Sequence, residues 1–315
     1  MNQKNVHVIH ENSVWSEPLF GALSARGHDP VDWHLRDFQL RFDESPPQGV
    51  FYNRMSASSH TRGHRYAPEM TACVLSWLEA NGRKVLNGSR ALMLELSKIT
   101  QYASLQQAGL VTPKTVACMT SEQVLDAFDR FAGAPVITKH NRAGKGLGVK
   151  LFRAKDALAD YVHGEEFDPS VDGITLVQQY IESPEPFITR VEFIGREFLY
   201  AVRVDTSEGF ELCPADACAV DSMFCPVDGS STPEKFQIIE DFAEQPGHPE
   251  MLARMAQLMH EQSLDVSAFE FIVDSRGNKF VYDINTNTNY NSDAENAVGV
   301  SAMERLADYL IAALD

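Results

Sequence analysis

Nowhere in its 315 residues does the chain hold a run of ~18 uncharged apolar residues, so no helical membrane span is expected. No secretory leader is expected either: a short polar stretch precedes Val6-His7-Val8-Ile9, which is too short for an apolar leader region. The cytoplasm is the expected compartment. The five cysteines are odd in number and include no CxxC pair, so neither a disulfide scaffold nor a zinc knuckle is expected. Cys213, Cys218 and Cys225 cluster and read as buried or half-buried thiols. Basic charge is scarce, with 27 Lys and Arg against 44 Asp and Glu and a net charge of -17. That field repels phosphate backbones and anionic lipid, so no nucleic-acid or membrane partner is expected. What remains is an ordinary globular composition, 44% hydrophobic and 23% charged, long enough for two or so domains.

The first ninety or so residues read as an open α/β unit. Strands are expected at 6–10, 31–33, 50–53 and 85–87, a helix from Pro18 to a stop at Gly27, and another from Pro68 to Gly82. Such alternation implies a parallel sheet with functional loops at the strands' carboxyl ends. Ser89 caps an expected helix running to Gly109. Strands at 115–117, 136–139 and 149–152 then surround a helix at 121–131. Strands at 175–180, 189–194, 197–204, 268–273 and 279–284 are mostly hairpin-linked and hence antiparallel, with covering helices at 249–262 and 302–313. Residues 210–247 are rich in Pro, Asp and Ser, show no firm pattern and read as a long functional loop or lid.

Four constellations carry chemistry. In Asn141-Arg142-Ala143-Gly144-Lys145-Gly146-Leu147-Gly148, the glycines let backbone amides approach and point at a phosphate. The motif lies between two expected strands, so it is neither a Walker loop nor a dinucleotide fingerprint. It suits a β-loop folded over nucleotide phosphates, and equally a plain glycine hairpin. Lys139 ends the strand before that loop, and Lys98 sits on the preceding helix; each reads as a phosphate-reaching cation or as a solvated lysine. In Lys279-Phe280-Val281-Tyr282-Asp283-Ile284-Asn285-Thr286-Asn287, strand periodicity puts Asp283, Asn285 and Asn287 on one face and Phe280, Tyr282 and Ile284 on the other. A four-residue hairpin loop at 275–278 sets Glu270 opposite Asp283. Two unpartnered carboxylates so placed repel, and a divalent cation reverses the sign. Oxygen-only donors suit Mg²⁺ or Mn²⁺, completed by water and nucleotide phosphates; solvated acids on an edge hairpin are the alternative. Gln178-Gln179-Tyr180-Ile181-Glu182 ends an apolar strand, offering backbone groups to an adenine edge and an acid to a ribose.

Taken in order, Lys98, Ile137-Thr138-Lys139, residues 141–149, Val177-Gln178-Gln179-Tyr180-Ile181, Arg190, Arg203, Glu270 and Asp283-Ile284-Asn285 resemble the RimK-like branch of ATP-grasp carboxylate–amine ligases. The resemblance implies a mixed α/β (α+β) ATP-grasp fold behind a Rossmann-like pre-grasp domain, divided as 1–93, 94–180 and 181–315. It implies that Lys98, Lys139, Arg142, Gly144, Lys145, Gly146 and Gly148 hold ATP phosphates, and that Gln178 to Glu182 hold the nucleoside. It further implies two Mg²⁺ ions on Glu270, Asp283 and Asn285, and catalytic roles for Arg190 and Arg203, the latter stabilising an acyl phosphate and a tetrahedral intermediate. Dimers or tetramers are common in the family. Three features depart from its pattern: His140 replaces a proline, Ile188 or Thr189 replaces an aspartate before Arg190, leaving Glu182 and Glu185 as ribose-binding substitutes, and residues 210–218 follow a different sequence.

The basic and hydroxyl-rich stretch Asn53-Arg54-Met55-Ser56-Ala57-Ser58-Ser59-His60-Thr61-Arg62-Gly63-His64-Arg65 follows an expected parallel strand in an otherwise acidic chain. It reads as the site of a carboxylate-bearing substrate held by Arg54 with Arg62 or Arg65, alongside Asn53, Ser56 and Asn287, or as a solvated basic loop. His60 and His64 are four apart, but Gly63 breaks the helix that a zinc pair needs. The expected activity is ligation of glutamate or a similar amino acid, as the amine, to a carboxylate on a small molecule, peptide or protein terminus. An ATP-grasp kinase acting on a hydroxyl and a non-catalytic nucleotide-binding protein are the alternatives.

Overall fold

The computed structural model of the chain describes residues 4–144, 146–207 and 235–315. Strands β1 (Asn5–His10), β2 (Val31–His34), β3 (Gly49–Asn53) and β4 (Lys84–Leu86) form an all-parallel sheet in the order β2-β1-β3-β4. β1 is apolar on both faces: Val6 and Val8 pack with Leu19 and Leu23 of helix α1 (Ser13–Ser24), and Ile9 packs with Val74, Leu75 and Leu78 of helix α2 (Ala67–Ala80). α1 begins at Ser13 rather than Pro18 because the Asn12 side chain accepts from Trp15 N at 3.2 Å and caps the first turn.

The single helix expected from Ser89 to Gly109 is two, α3 (Ser89–Leu96) and α4 (Lys98–Gln107). Ser97 is extended at φ -143°, ψ 107°, and its Oγ accepts from Thr100 N at 3.3 Å, so it ends one helix and caps the next. Ser89 does not cap α3; its hydroxyl donates to Glu79 at 2.8 Å.

Strands β5 (Thr115–Cys118), β6 (Val136–His140), β7 (Lys150–Phe152) and β8 (Thr175–Gln179) form an antiparallel sheet in the order β5-β8-β6-β7. One face is covered by α5 (Ser121–Asp129) and α6 (Lys155–His163) through Val124, Phe128, Leu158 and Val162. α6 has no side-chain cap at Ala154, and the sequence reading missed it.

The third sheet, antiparallel, contains β9 (Phe187–Ile194), β10 (Glu197–Asp205), β11 (Phe236–Ile239), β12 (Val266–Val273) and β13 (Lys279–Asn285) in the order β11-β10-β9-β12-β13. On one face Val191, Phe193, Phe269 and Phe271 pack with Met255, Leu258 and Met259 of α7 (His248–Glu261). On the other, Ile188, Val202, Val204 and Val266 pack with the N-terminal unit and with Leu306 and Leu310 of α9 (Ala302–Ala312). A short α8 (Ser292–Val298) precedes α9.

Within the stretch read as a lid, β11 and a 3-10 turn at Phe242–Glu244 are regular structure; residues 210–234 of that reading, with Cys213, Cys218 and Cys225, lie outside the described residues. Among the described residues no helix is long and apolar enough to cross a membrane.

Candidate active site

A cleft of about 450 Å³ opens between the second and third sheets, against one end of the N-terminal unit. Strand register decides which side chains enter it. Ile137 stands opposite Gln178 and Lys139 opposite Leu176, so these share a face while Val136 and Thr138 point into the α5–α6 layer. Lys139 is buried, with Nζ 3.3 Å from the Tyr282 carbonyl, 3.4 Å from the Tyr102 hydroxyl and 5.0 Å from the centroid of the Tyr282 ring. Burial pushes its pKa down, and the nearby Asp283 and Glu270 charges only partly offset this.

The break at Ser97 puts Lys98 in the first turn of α4. There Lys98 N donates to Asn141 O at 3.2 Å and Ile99 N to Asn141 Oδ1 at 3.0 Å. Asn141 thereby fastens the start of the helix to the start of the glycine hairpin. Lys98 Nζ reaches Asp283 Oδ1 at 2.5 Å, from the opposite sheet.

Gly144, Gly146 and Leu147 line the cleft; Lys145 lies outside the described residues. Gly148 does not line it but shapes the hairpin. Its φ is +72°, and a Cβ there would sit 2.1 Å from the His140 ring. His140 is packed under the hairpin with Nε2 2.7 Å from the Asp168 carbonyl. Arg142 was expected on phosphate and is turned away from the cleft. Its guanidinium donates to both Glu69 oxygens, at 2.9 and 3.3 Å, tying the hairpin to α2 and pulling the Glu69 carboxyl down to about 2.

Beyond β8, the Gln178 side chain donates to the Tyr102 hydroxyl at 2.7 Å and to Thr115 Oγ1 at 2.8 Å. The N–H groups of Gln179 and Tyr180 are taken by Lys114 O (2.8 Å) and Pro135 O (3.1 Å). Gln179, Tyr180 and Ile181 line the cleft, and no hydrogen bond among the described residues uses the Ile181 N–H. Glu182 is exposed and points away from the cleft, whereas Glu185 lines it.

On the third sheet Glu270 pairs with Arg190 of β9 on one side and Asp283 of β13 on the other. The expected Glu270–Asp283 pairing is present, though by another route. Val273 pairs with Lys279, leaving five loop residues rather than four, and a bulge between Glu270 and Phe271 restores the register. Tyr282 is the extra residue. It lines the cleft beside Asp283 instead of following Ile284 into the core, where Val281 goes.

The two acids are not unpartnered as the sequence reading assumed. Glu270 Oε1 accepts from Arg190 Nη1 at 3.1 Å and Asn285 Nδ2 at 3.2 Å, and Asp283 holds Lys98. Arg190 also donates to Glu192 Oε1 at 2.5 Å and Thr288 Oγ1 at 2.7 Å. Burial raises the Glu270 pKa, with Arg190 pulling the other way. Among the described residues no group of three or more His, Cys, Asp or Glu side chains is arranged to hold a metal ion. What does fit is the donor chemistry: two carboxylates and the Asn285 amide oxygen, whose nitrogen is turned to Glu270, stand on the cleft wall as a hard-oxygen set that phosphate and water complete.

Arg203 does not belong to this group. Val202 stands opposite Arg190 and Arg203 opposite Thr189, so alternation sends Arg203 to the other face of β10. Its guanidinium lies 4.0 Å from the Phe187 ring centroid and 3.2 Å from Glu185.

Of the N-terminal candidates, Ser56 lines the cleft, its hydroxyl 3.0 Å from that of Ser58. Asn53 is structural: Nδ2 donates to Asn87 O at 2.9 Å and Oδ1 accepts from Met55 N at 3.0 Å. Arg54 is buried and fastens β3 to the Asn287–Asn289 segment rather than opening to the cleft. Arg62 is held by the buried Glu11 at 2.5 Å, which also takes His64 at 2.8 Å. Arg65 pairs with Glu69 at 3.0 Å outside the cleft.

The sequence reading missed Glu95, which lines the cleft and accepts from Ala57 N (3.1 Å), Thr286 N (2.9 Å) and Thr286 Oγ1 (3.0 Å), joining the N-terminal loop to the segment after β13. It also missed Tyr102. An acid two residues before the Ser97 cap was the available signal for Glu95.

Residues 96–211 match the family described as the RimK-like ATP-grasp domain. The chain is similar to a probable alpha-L-glutamate ligase of Desulfotalea psychrophila, 24% identical over 203 residues that make up 63% of this chain and 43% of the relative. Likewise it is 25% identical over 136 residues to the ribosomal protein bS6–L-glutamate ligase of Shigella flexneri, 43% of this chain and 44% of that protein. The match thus spans under half the length of either relative. The likeness of fold to solved structures extends over nearly the whole chain. The ATP-grasp ligase PsnB complexed with a minimal precursor has TM-score 0.68 at 20% identity, covering 98% of this chain and 99% of that one. PsnB complexed with minimal precursor, Mg and ADP has TM-score 0.66 at 18% identity, covering 100% and 99%.

Proposed function

We propose that the chain is an ATP-dependent carboxylate–amine ligase that joins glutamate or a similar amino acid, as the amine, to a carboxylate on a small molecule, peptide or protein terminus. The observation that carries this reading is the meeting in one cleft of two buried lysines, a glycine hairpin, a strand end with a free amide and an oxygen-donor set. In this reading 1–93 is the pre-grasp unit, 94–180 bears the hairpin and 181–315 bears the metal donors. A substrate carboxylate oxygen attacks the γ-phosphorus of ATP and ADP leaves. The amine then attacks the acyl carbon, phosphate leaves, and the amine proton passes to solvent.

Glu270, Asp283 and Asn285 would hold Mg²⁺, which when bound would neutralise phosphate charge and align the transferred group; a structurally similar ligase, PsnB, is complexed with Mg and ADP. Lys139 and Lys98 take phosphate oxygens, Lys98 exchanging Asp283 for phosphate. The Ile181 N–H reads the adenine edge, and Glu185 is placed for the ribose. Arg190, locked by Glu192 and Thr288, faces the acyl phosphate and the oxyanion that follows it, the role that Arg203 cannot reach.

Screening amino-acid and peptide pairs for ADP release, with mass spectrometry of products, tests the reading. Hydroxylamine added to a productive carboxylate yields a hydroxamate if an acyl phosphate forms. ADP release with a phosphate ester as product identifies a kinase instead. Gly148→Ala is expected to raise the Kd for AMPPNP at least about tenfold, because the new methyl collides with His140 and distorts the hairpin. Calorimetric titration reads this, and an unchanged Kd removes the hairpin from the nucleotide site.

A further inference from the structure

Two asparagines beyond the metal donors form a donor-only strip whose polarity is set from behind. Arg54 is buried, and its guanidinium donates to Asn287 Oδ1 at 3.1 Å (Nε) and Asn289 Oδ1 at 3.0 Å (Nη2), as well as to the carbonyls of Thr288 and Trp15, each at 3.1 Å. A guanidinium has no acceptor, so the amide atom facing it is the oxygen in both asparagines. Each Nδ2 is therefore turned from Arg54. Both asparagines line the cleft, and no hydrogen bond among the described residues uses either Nδ2. Asn285, two residues earlier, has the reverse polarity: its Nδ2 is bound to Glu270 and its oxygen is free for a cation. One short segment thus presents oxygen where the metal donors stand and N–H groups beyond them, with the Ser56 and Ser58 hydroxyls on the same cleft wall.

The charge behind the strip points to the ligand. Arg54 forms no ion pair with a carboxylate among the described residues, and burial depresses its pKa with only the Tyr52 and Tyr290 hydroxyls acting against that. Those two hydroxyls are themselves buried without a hydrogen-bond partner. An uncompensated buried cation polarises the amides it holds and favours negative charge on their far side.

We infer that Asn287 and Asn289, oriented by Arg54, form a subsite for the non-reacting carboxylate of the amino-acid substrate. Arg54 is a positioning residue that never touches the ligand. The inference rests on the ligase reading and adds to it the place where the second substrate is anchored. A carboxylate held there lies beyond Asn285, apart from the one to be phosphorylated, and leaves the substrate amine free to turn toward the acyl phosphate.

The test titrates L-glutamate, L-aspartate and glycine calorimetrically into the full chain saturated with Mg-AMPPNP. At least one of the three is expected to bind. Asn287→Asp and Asn289→Asp are near-isosteric: one oxygen keeps the bond to Arg54, while the other replaces a donor with a negative acceptor facing the cleft. Each is expected to weaken the bound amino acid at least about tenfold while the AMPPNP Kd stays within twofold. Arg54→Lys keeps the charge but cannot hold both amides, and is expected to weaken amino-acid binding while AMPPNP binding reports that the fold persists. Amino-acid affinity unchanged in both aspartate variants overturns the subsite, as does binding of none of the three amino acids when AMPPNP binds normally. Failure of AMPPNP itself to bind overturns the underlying ligase reading instead.

Discussion

Glu270→Gln and Asp283→Asn are each expected to cut ATP-dependent product formation at least about a thousandfold, since each removes a charge from the donor set proposed to hold the metal against transferring phosphate. The two variants should differ in stability. Glu270 is buried between Arg190 and Asp283, and its loss leaves Arg190 with Glu192 and Thr288. Breaking one partner out of a buried ion-pair cluster costs about 3–5 kcal/mol when nothing compensates, and Glu192 keeps the effect below that. Asp283 holds Lys98, which stands in the cleft and can reach water, so its neutralisation should cost less. Steady-state rates and thermal unfolding read both quantities. A rate within tenfold of the parent in both variants would remove these acids from the metal site.

Lys139→Met is expected to move two measurements in opposite directions. The lysine is buried and its charged form is penalised, so an apolar chain of similar length should raise the melting temperature. The same change removes a desolvated cation from the cleft wall and should weaken AMPPNP about a hundredfold or more. A residue kept only for packing would lower stability when altered and leave the nucleotide Kd untouched.

The elements with the strongest local signals were legible in the sequence. The parallel sheet followed from short apolar strands punctuated by glycine and helix patterns, and β12–β13 from a hairpin whose alternation could be counted. Legibility ended where one residue changes a face or a path. Ser97 splits a continuous helical pattern in two, and only its extended backbone puts Lys98 against Asn141 and Asp283. The Glu270–Phe271 bulge turns Tyr282 toward the cleft, which strict alternation forbids. Arg203 shows the same limit in reverse, since its strand was identified but its register against β9 was not.

Basic residues were the hardest to place. Arg54, Arg62, Arg65 and Arg142 all read as anion-binding groups in an acidic chain, yet each is committed to a partner inside the protein. Composition reports how many charges exist, and only tertiary contacts report which remain uncommitted. The useful distinction is between Lys139, a cation facing the cleft, and Arg142, a cation spent on holding a hairpin to a helix.

The most direct test of the account is a crystal structure of the chain with Mg-AMPPNP. The account predicts metal density against Glu270, Asp283 and Asn285, phosphate oxygens at Lys139, and Lys98 moved from Asp283 onto phosphate. Nucleotide bound elsewhere, or bound in the cleft with no metal at those three side chains and Lys98 still on Asp283, would contradict it.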